Sequence, residues 1–254
     1  MSSETSKDYL FQIARGKITG ASSINKFGRN SACAASGDEH IWDGSFDYVF
    51  PTTAAITHIR AGTDSAITQG VVIEVQGLDT NFDLVIQLAT TDGTNSTTEV
   101  ELTTALKRVF RMKVLDDTVL DQAIWAGDSD MSGATDTEAI IQIGKGQTQM
   151  AIYTIAAGHT AYLTNYYAHH NPTSGQTFTS NLIELWTADA GNGYARQLKH
   201  GVGVPEDAGF QHPFTPYMRI PEKHDVFLTS SPIGAAADIS AGFDLVLLKN
   251  DMVG

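Results

Sequence analysis

The chain has 254 residues, and its 29 acidic and 16 basic side chains give a formal net charge of −13 at neutral pH. An acidic surface repels phosphate groups, so this balance disfavours a nucleic-acid-binding protein. Apolar residues make up 42% of the chain, enough for a sizeable core. No apolar run approaches the roughly 20 residues that a membrane-spanning helix needs. The composition therefore predicts a folded protein that acts without nucleic acid and without a membrane.

Short segments with a strand-like pattern follow one another along most of the chain. They are β-branched or alternate between apolar and polar residues, and clusters of Gly, Asp, Asn and Thr separate them. They cover 53–60, 71–76, 82–88, 98–103, 108–114, 139–143, 150–155, 160–168, 181–187, 225–229 and 242–248. Helical patterns are confined to short segments around 8–14 and 116–124. This spacing predicts an all-β protein, built as a sandwich or a barrel.

Residues 1–40 differ from the rest because Ser, Ala, Gly and Asn dominate them. The isolated apolar residues among them are too few to form a core. We therefore expect an extended N-terminal arm that docks Phe11, Ile13, Ile24 and Phe27 on a partner.

A faint internal repeat divides the remaining chain. Residues 53–59 match 160–166 at an offset of 107, 72–75 match 182–185 at 110, and 110–112 match 217–219 at 107. Chance recurrence of strand-like patterns is one explanation, and a pair of related modules is the other. We favour two tandem jelly-roll-like β-sandwich modules, at 41–115 and 150–254.

An acidic segment separates the two predicted modules. Residues 116–138 hold seven acidic residues and no Lys or Arg, which favours a solvated connection over 116–149. Residues 128–133 resemble the opening of a calcium-binding loop, but the twelfth position is Ala139 and Glu138 comes one residue early. An EF-hand is therefore rejected, and a looser cation site remains as an alternative.

Motifs for catalysis are missing from the sequence. It has no nucleophile elbow, zinc-protease helix, phosphate loop or dinucleotide fingerprint, and its eight histidines form no ligand set. The single cysteine, Cys33, has no activating partner nearby. The sequence predicts no catalytic residue, no cofactor and no metal ligand. A polysaccharide-degrading enzyme remains an alternative, and it would need two facing carboxylates.

Two sets of aromatic residues are candidates for contacts. Trp42 and Trp125 are predicted to anchor the module junction or an interface. Tyr167, Trp186 and Tyr194 are candidate stacking platforms for a glycan, although most aromatic side chains in a sandwich pack inside it.

Six phrases of the sequence together resemble an uncharacterised family of virion proteins from tailed phages. They begin with Asn-Lys-Phe-Gly-Arg-Asn and Ile-Trp-Asp-Gly, and they lie at 25–30, 41–44, 77–82, 108–112, 151–158 and 220–225. The resemblance covers most of the chain and its motifs are structural. The resemblance implies a component of the virus particle, and it favours a head decoration or cement protein over a tail or fibre part. It implies no active-site residue.

These observations together predict a non-enzymatic virion protein, assembled in the host cytoplasm, that decorates or cements the outer capsid surface. Its expected partners are the major capsid protein or other virion proteins and further copies of itself, as a homotrimer. Deleting residues 1–40 is expected to abolish particle binding while the modules stay folded. The alternative is a receptor- or glycan-binding module on a tail or head fibre.

Overall fold

The computed structural model describes residues 8–35, 37–44, 46–133, 136–171 and 180–253. These described residues contain one short α-helix, α1 (Tyr9–Ala14), and a 3-10 turn at Asn250–Met252. The strands are β1 (Ala21–Cys33), β2 (Glu39–His40), β3 (Ile56–Ala61), β4 (Val72–Leu78), β5 (Leu84–Thr90), β6 (Val100–Leu106), β7 (Arg108–Val114), β8 (Ile124–Gly127), β9 (Thr137–Ile141), β10 (Ile152–Thr154), β11 (His159–Asn171), β12 (Ser180–Asp189), β13 (Arg196–Pro205), β14 (Gly209–Ile220), β15 (His224–Ile233) and β16 (Ala237–Lys249). The predicted all-β fold class is confirmed.

Eight strand positions form a jelly roll, which we call the main jelly roll. One sheet has the order β1-β16-β11-β14, and the facing sheet has the order β10-β15-β12-β13. β1 pairs with β16, β10 with β15, β11 with β14 and β12 with β13, all antiparallel. The first of these eight strands therefore pairs with the last, and each following strand pairs with the next one inward from the end. This nested pairing is a long hairpin rolled into two sheets, the topology of the double-sheet jelly roll.

The second strand of the main jelly roll is made of two separate pieces of chain. β2 pairs with β15 at Thr229 and Ser230, and β10 continues the same line from Phe227. Between them, Ile41 N–H donates to Leu228 O at 2.9 Å, and Leu228 N–H donates to Ala151 O at 3.1 Å. The chain therefore leaves the sheet after Ile41 and returns at Ala151.

The excursion between these points, residues 42–150, is the second sandwich, which we call the insert. Its sheets have the orders β6-β3-β8-β9 and β5-β4-β7. The strand pairing of the insert repeats that of the main jelly roll. β3 pairs with β6 and β8 as β11 pairs with β14 and β16. β4 pairs with β5 and β7 as β12 pairs with β13 and β15. β9 lies beside β8 as β1 lies beside β16.

Two of the three sequence matches fall on equivalent strands of the two sandwiches. Residues 53–59 and 160–166 overlap β3 and β11, and 72–75 and 182–185 lie in β4 and β12. The third match joins β7 to β14, although β7 is equivalent to β15, so that match does not follow the shared topology.

The structure differs from the predicted arm over residues 21–33. These residues form β1, which pairs with β16 from Ala21↔Leu248 to Cys33↔Ala237. The strand was hard to detect because polar residues occupy its inward positions: Lys26 and Asn30 are buried, with Gly28 between them. An apolar/polar alternation is therefore missing, and that alternation is the signal by which a half-buried strand is recognised.

The predicted acidic connection also differs from the structure, because it contains β8 and the start of β9 inside the insert. Ile124 and Ala126 of β8 are fully buried. Asp116 before the strand and Asp128 after it lie in turns, where each accepts a backbone N–H from two residues ahead. The charge therefore marks turns at the ends of a buried strand. Among the described residues, no helix is long and apolar enough to span a membrane.

Truncation of the N-terminus tests the place of β1 in the main jelly roll. Deleting residues 1–20 removes α1 and, within the described residues 8–20, one buried side chain, Ile13, so we expect a cooperative fold with a melting temperature lowered by about 2–5 °C. Deleting residues 1–40 removes β1 and β2, and we expect the cooperative transition to be lost. Thermal unfolding followed by circular dichroism distinguishes these outcomes. A 41–254 chain that melts cooperatively near the full-length temperature would contradict this placement.

Candidate functional site

The chain crossings at the base of the insert form the centre of the junction between the two sandwiches. Trp42 and Met150 face each other as an antiparallel bridge, and Ala151 N–H donates to Ile41 O at 2.9 Å. Gly28 of β1 packs against this crossing, where an added Cβ would lie 2.3 Å from Ile41 O and 2.4 Å from Ala151 N. Only a residue without a side chain fits there, so β1 and the two crossings are held in close contact.

A cluster of aromatic side chains fills the junction. Trp42 is 1% exposed, and its indole N–H donates to Phe46 O at 2.9 Å. Its ring meets those of Phe46 and Tyr48 edge-on, with centroids 5.0 and 5.2 Å apart. Phe227 of β15 is fully buried in the same cluster. These edge-to-face contacts join the insert to the main jelly roll through aromatic burial.

A buried ion pair crosses the junction beside this cluster. Arg108 of β7 donates from Nε and Nη2 to the two carboxylate oxygens of Asp225 of β15, each at 2.9 Å. Arg108 Nη1 donates to Pro51 O at 2.6 Å, and the rings of Phe50 and Tyr194 lie 5.1 and 5.4 Å from the guanidinium carbon. Burial works to lower the pKa of Arg108, but the hydrogen bonds and charge of Asp225 outweigh it and raise the pKa overall. Arg108 therefore stays ionised, and its two hydrogen bonds to Asp225 hold the two sandwiches in one orientation.

A buried lysine makes a second polar contact across the junction. Lys26 of β1 is 3% exposed, and its ammonium donates to the carbonyl of Phe110 in β7. Burial, and then the charge of Arg111, lower the pKa of Lys26 well below its ordinary value. Phe110 itself packs against Tyr153 of the main jelly roll, with ring centroids 4.7 Å apart.

The predicted junction residues lie together, whereas the predicted glycan platform is spread over separate places. Trp42 is in the aromatic cluster, and Trp125 packs against it. Tyr167 packs against Gly242 in one sheet of the main jelly roll, and Trp186, in the other, donates its indole N–H to Thr229 Oγ1 at 3.0 Å. Tyr194 covers the buried guanidinium of Arg108.

The predicted arm residues are divided between the protein interior and the surface. Ile13 is buried, and Ile24 and Phe27 are half-buried in β1. They line a groove of about 610 Å³ beside α1. Phe11 is 56% exposed, next to the exposed Leu10.

The acidic residues of the predicted cation loop line a cleft of about 430 Å³. Burial, and then the charge of Asp128, raise the pKa of Glu138 to about 7. Among the described residues, no group of three or more His, Cys, Asp or Glu side chains has an arrangement that could hold a metal ion.

Comparisons with known proteins include distant structural likenesses, two of which come from the same virus. No protein-family model matches the chain, and no curated protein matches it. A structure of the Gx strain of infectious bursal disease virus is 11% identical with a TM-score of 0.26, covering 91% of this chain and 72% of that chain. A mutant VP2 protein of the same virus, from derived T=1 particles, is 12% identical with a TM-score of 0.22, covering 90% and 68%. These TM-scores are too low to support a fold assignment, which rests on the strand pairing alone.

One surface feature was not anticipated from the sequence. Leu84, Ile86 and Leu88 alternate along β5, one of the two outer strands of its sheet, and are 53%, 58% and 59% exposed. We call these three residues the β5 stripe. The alternation was visible in the sequence, but the face of the strand that points into the core could not be assigned without its pairing partner, β4.

The Arg108–Asp225 pair tests the energetic role of the junction. Arg108→Met leaves the Asp225 carboxylate buried without its counter-ion, so we expect the free energy of unfolding to fall by about 3–5 kcal/mol. The double variant R108M/D225N removes both charges and should recover much of that loss. Urea denaturation measures both effects.

A matched control comes from the more exposed pair of Lys113 and Glu74, whose Nζ–Oε1 distance is 2.9 Å. Lys113→Met should cost at most about 1 kcal/mol, because solvent screens the pair. Equal losses for R108M and K113M would show that the buried pair does not fix the junction.

Proposed function

We propose that this protein is a non-enzymatic structural component of a phage virion, one that decorates or cements the outer surface of the capsid as an oligomer. The observation that carries this proposal is the β5 stripe on a sandwich of jelly-roll topology. Jelly rolls are widely used in virus capsids, but a fold alone does not assign a function. A role in assembly also requires a surface suited to contact with another protein, and the stripe is such a surface.

The stripe is a liability for a protein that works alone. Exposed apolar side chains that alternate along an outer strand invite contact with other chains, and natural proteins usually protect such strands with charge. Residues 84–91 contain no charged side chain. Covering the three side chains would contribute on the order of 1 kcal/mol each. We therefore place the stripe against a neighbouring virion protein, the major capsid protein or another copy of this chain.

The charge distribution supports an outer position on the particle. The insert contains 16 of the 29 acidic residues and 6 of the 16 basic residues, a net charge of −10 out of −13. The remainder of the chain has a net charge of only −3. An insert with this charge is repelled by packaged DNA, whereas the outer surface of a shell imposes no such cost.

Removing the stripe tests the proposal. The triple variant L84S/I86S/L88S should keep the full-length melting temperature within about 2–3 °C, because these side chains are exposed in the isolated protein. It should bind purified shells that lack the protein at least about tenfold more weakly than the unaltered chain, since about 1.4 kcal/mol corresponds to a tenfold change. Co-sedimentation with shells, with bound copies counted by quantitative mass spectrometry, measures the difference.

A control variant alters other exposed apolar residues of the insert. Ile67, Val119 and Ile143 are 55%, 74% and 57% exposed and lie outside the stripe. I67S/V119S/I143S should bind as the unaltered chain does. Equal binding by both triple variants would remove the stripe from the proposal. A handful of copies confined to the tail would contradict capsid decoration and favour the fibre alternative.

A further inference from the structure

Two histidines meet at the end of the main jelly roll where its two sheets present their outermost strands. His200 lies in β13, at the end of one sheet, and His212 lies in β14, at the end of the other. Their rings are stacked, with centroids 4.2 Å apart and planes inclined by 20°. The imidazole pair therefore joins the two sheets across this end of the sandwich.

A buried tyrosine completes the contact from β11. The Tyr166 hydroxyl is hydrogen-bonded to Nδ1 of His200, and the Tyr166 side chain is fully buried. Its ring also packs against those of Phe210 and Phe214 on β14, with centroids 4.9 and 6.0 Å away. When His200 is neutral, its Nδ1 can accept the Tyr166 O–H, and a protonated ring no longer accepts there.

The charged groups around this pair give little compensation for a positive charge. From β11, the titratable groups on the inward face are Tyr166 and His170, and β14 contributes His212. Glu184 of β12 pairs with Gly201, one position from His200, and so lies on the opposite face of the sheet. Lys199 of β13 is exposed and bonded to Gln197. Burial, and then the charge of His212, lower the pKa of His200.

At the equivalent end of the insert, a side-chain amide joins the two sheets. There the side-chain amide of Gln87 in β5 donates from Nε2 to Thr104 O of β6, and its Oε1 accepts from Thr104 N–H, both at 2.9 Å. β5 and β6 correspond to β13 and β14 in the shared topology. The two sandwiches thus close the same corner with different chemistry, a neutral amide in one and an imidazole pair in the other.

We propose that the stacked His200–His212 pair is an acid-sensitive latch, which holds β13 and β14 together at neutral pH and releases them when both rings are protonated. Two imidazolium rings at this distance repel each other, and the Tyr166 hydroxyl must then accept from His200 Nδ1 and can no longer donate to it. Release exposes Tyr166, Phe210 and Phe214, an apolar surface that the neutral latch covers.

The direction of the pH dependence follows from the direction of the pKa shift. His200 binds a proton less readily in the folded protein than in the unfolded chain, where its pKa is near 6.5. The latch therefore contributes its full stability above that unfolded value and loses it as the pH falls below.

Hydrogen–deuterium exchange on the full chain tests the proposal, and the insert serves as an internal reference. Between about pH 7.5 and about pH 5, after correction for intrinsic rates, exchange in peptides from 196–220 should accelerate by at least about tenfold. Peptides from 84–106 should change by less than about twofold, because Gln87 does not titrate.

Variants at the two histidines make the test specific. H200Q/H212Q replaces the pair with neutral amides, as in the insert, and should abolish the acid-induced acceleration. The single variant H212Q removes the repulsion and should reduce the acceleration, which provides a second readout if the double variant folds poorly. Unchanged protection of 196–220 at about pH 5, or the same acceleration in H212Q as in the unaltered chain, would overturn the latch.

Discussion

The second strand of the main jelly roll must run alongside β15, yet the chain leaves this strand halfway. Because β2 and β10 lie on one line, the excursion has to begin and end at neighbouring positions, which are Ile41 and Ala151. This constraint brings Trp42 and Met150 into contact at the base of the insert. The other features of the junction depend on it: the aromatic cluster forms around the crossing, and Gly28 makes room for it.

The insert is held to the main jelly roll by more than the two chain crossings. Leu78, Phe82 and Phe110 of the insert belong to the same apolar core as Leu163 and Phe243 of the main jelly roll. The Arg108–Asp225 pair and the Lys26 contact place polar groups within that continuous interior. Polar contacts of this kind are sensitive to orientation, whereas apolar burial alone is not, so together they specify one arrangement of the two sandwiches.

Local features of the chain were readable from the sequence, and its long-range pairing was not. Periodicity and turn residues predict the all-β class and most strands, and two weak matches identify equivalent strands such as β3 and β11. β1 was missed because its inward positions hold Lys26, Gly28 and Asn30, whose burial is compensated by distant groups: Lys26 bonds to Phe110 O and Asn30 to Glu39. The histidine pair was missed for a similar reason, since only the rolled hairpin brings β13 and β14 together. The β5 stripe needed the sheet pairing before its exposed face could be assigned.

We expect the split strand and the shared core to make the main jelly roll and the insert one cooperative unit. Differential scanning calorimetry of the full chain at neutral pH measures this cooperativity. We expect one transition, with a ratio of calorimetric to van't Hoff enthalpy of about 1. Two separate transitions, or a ratio near 2, would contradict it, because they would show that the two sandwiches unfold independently.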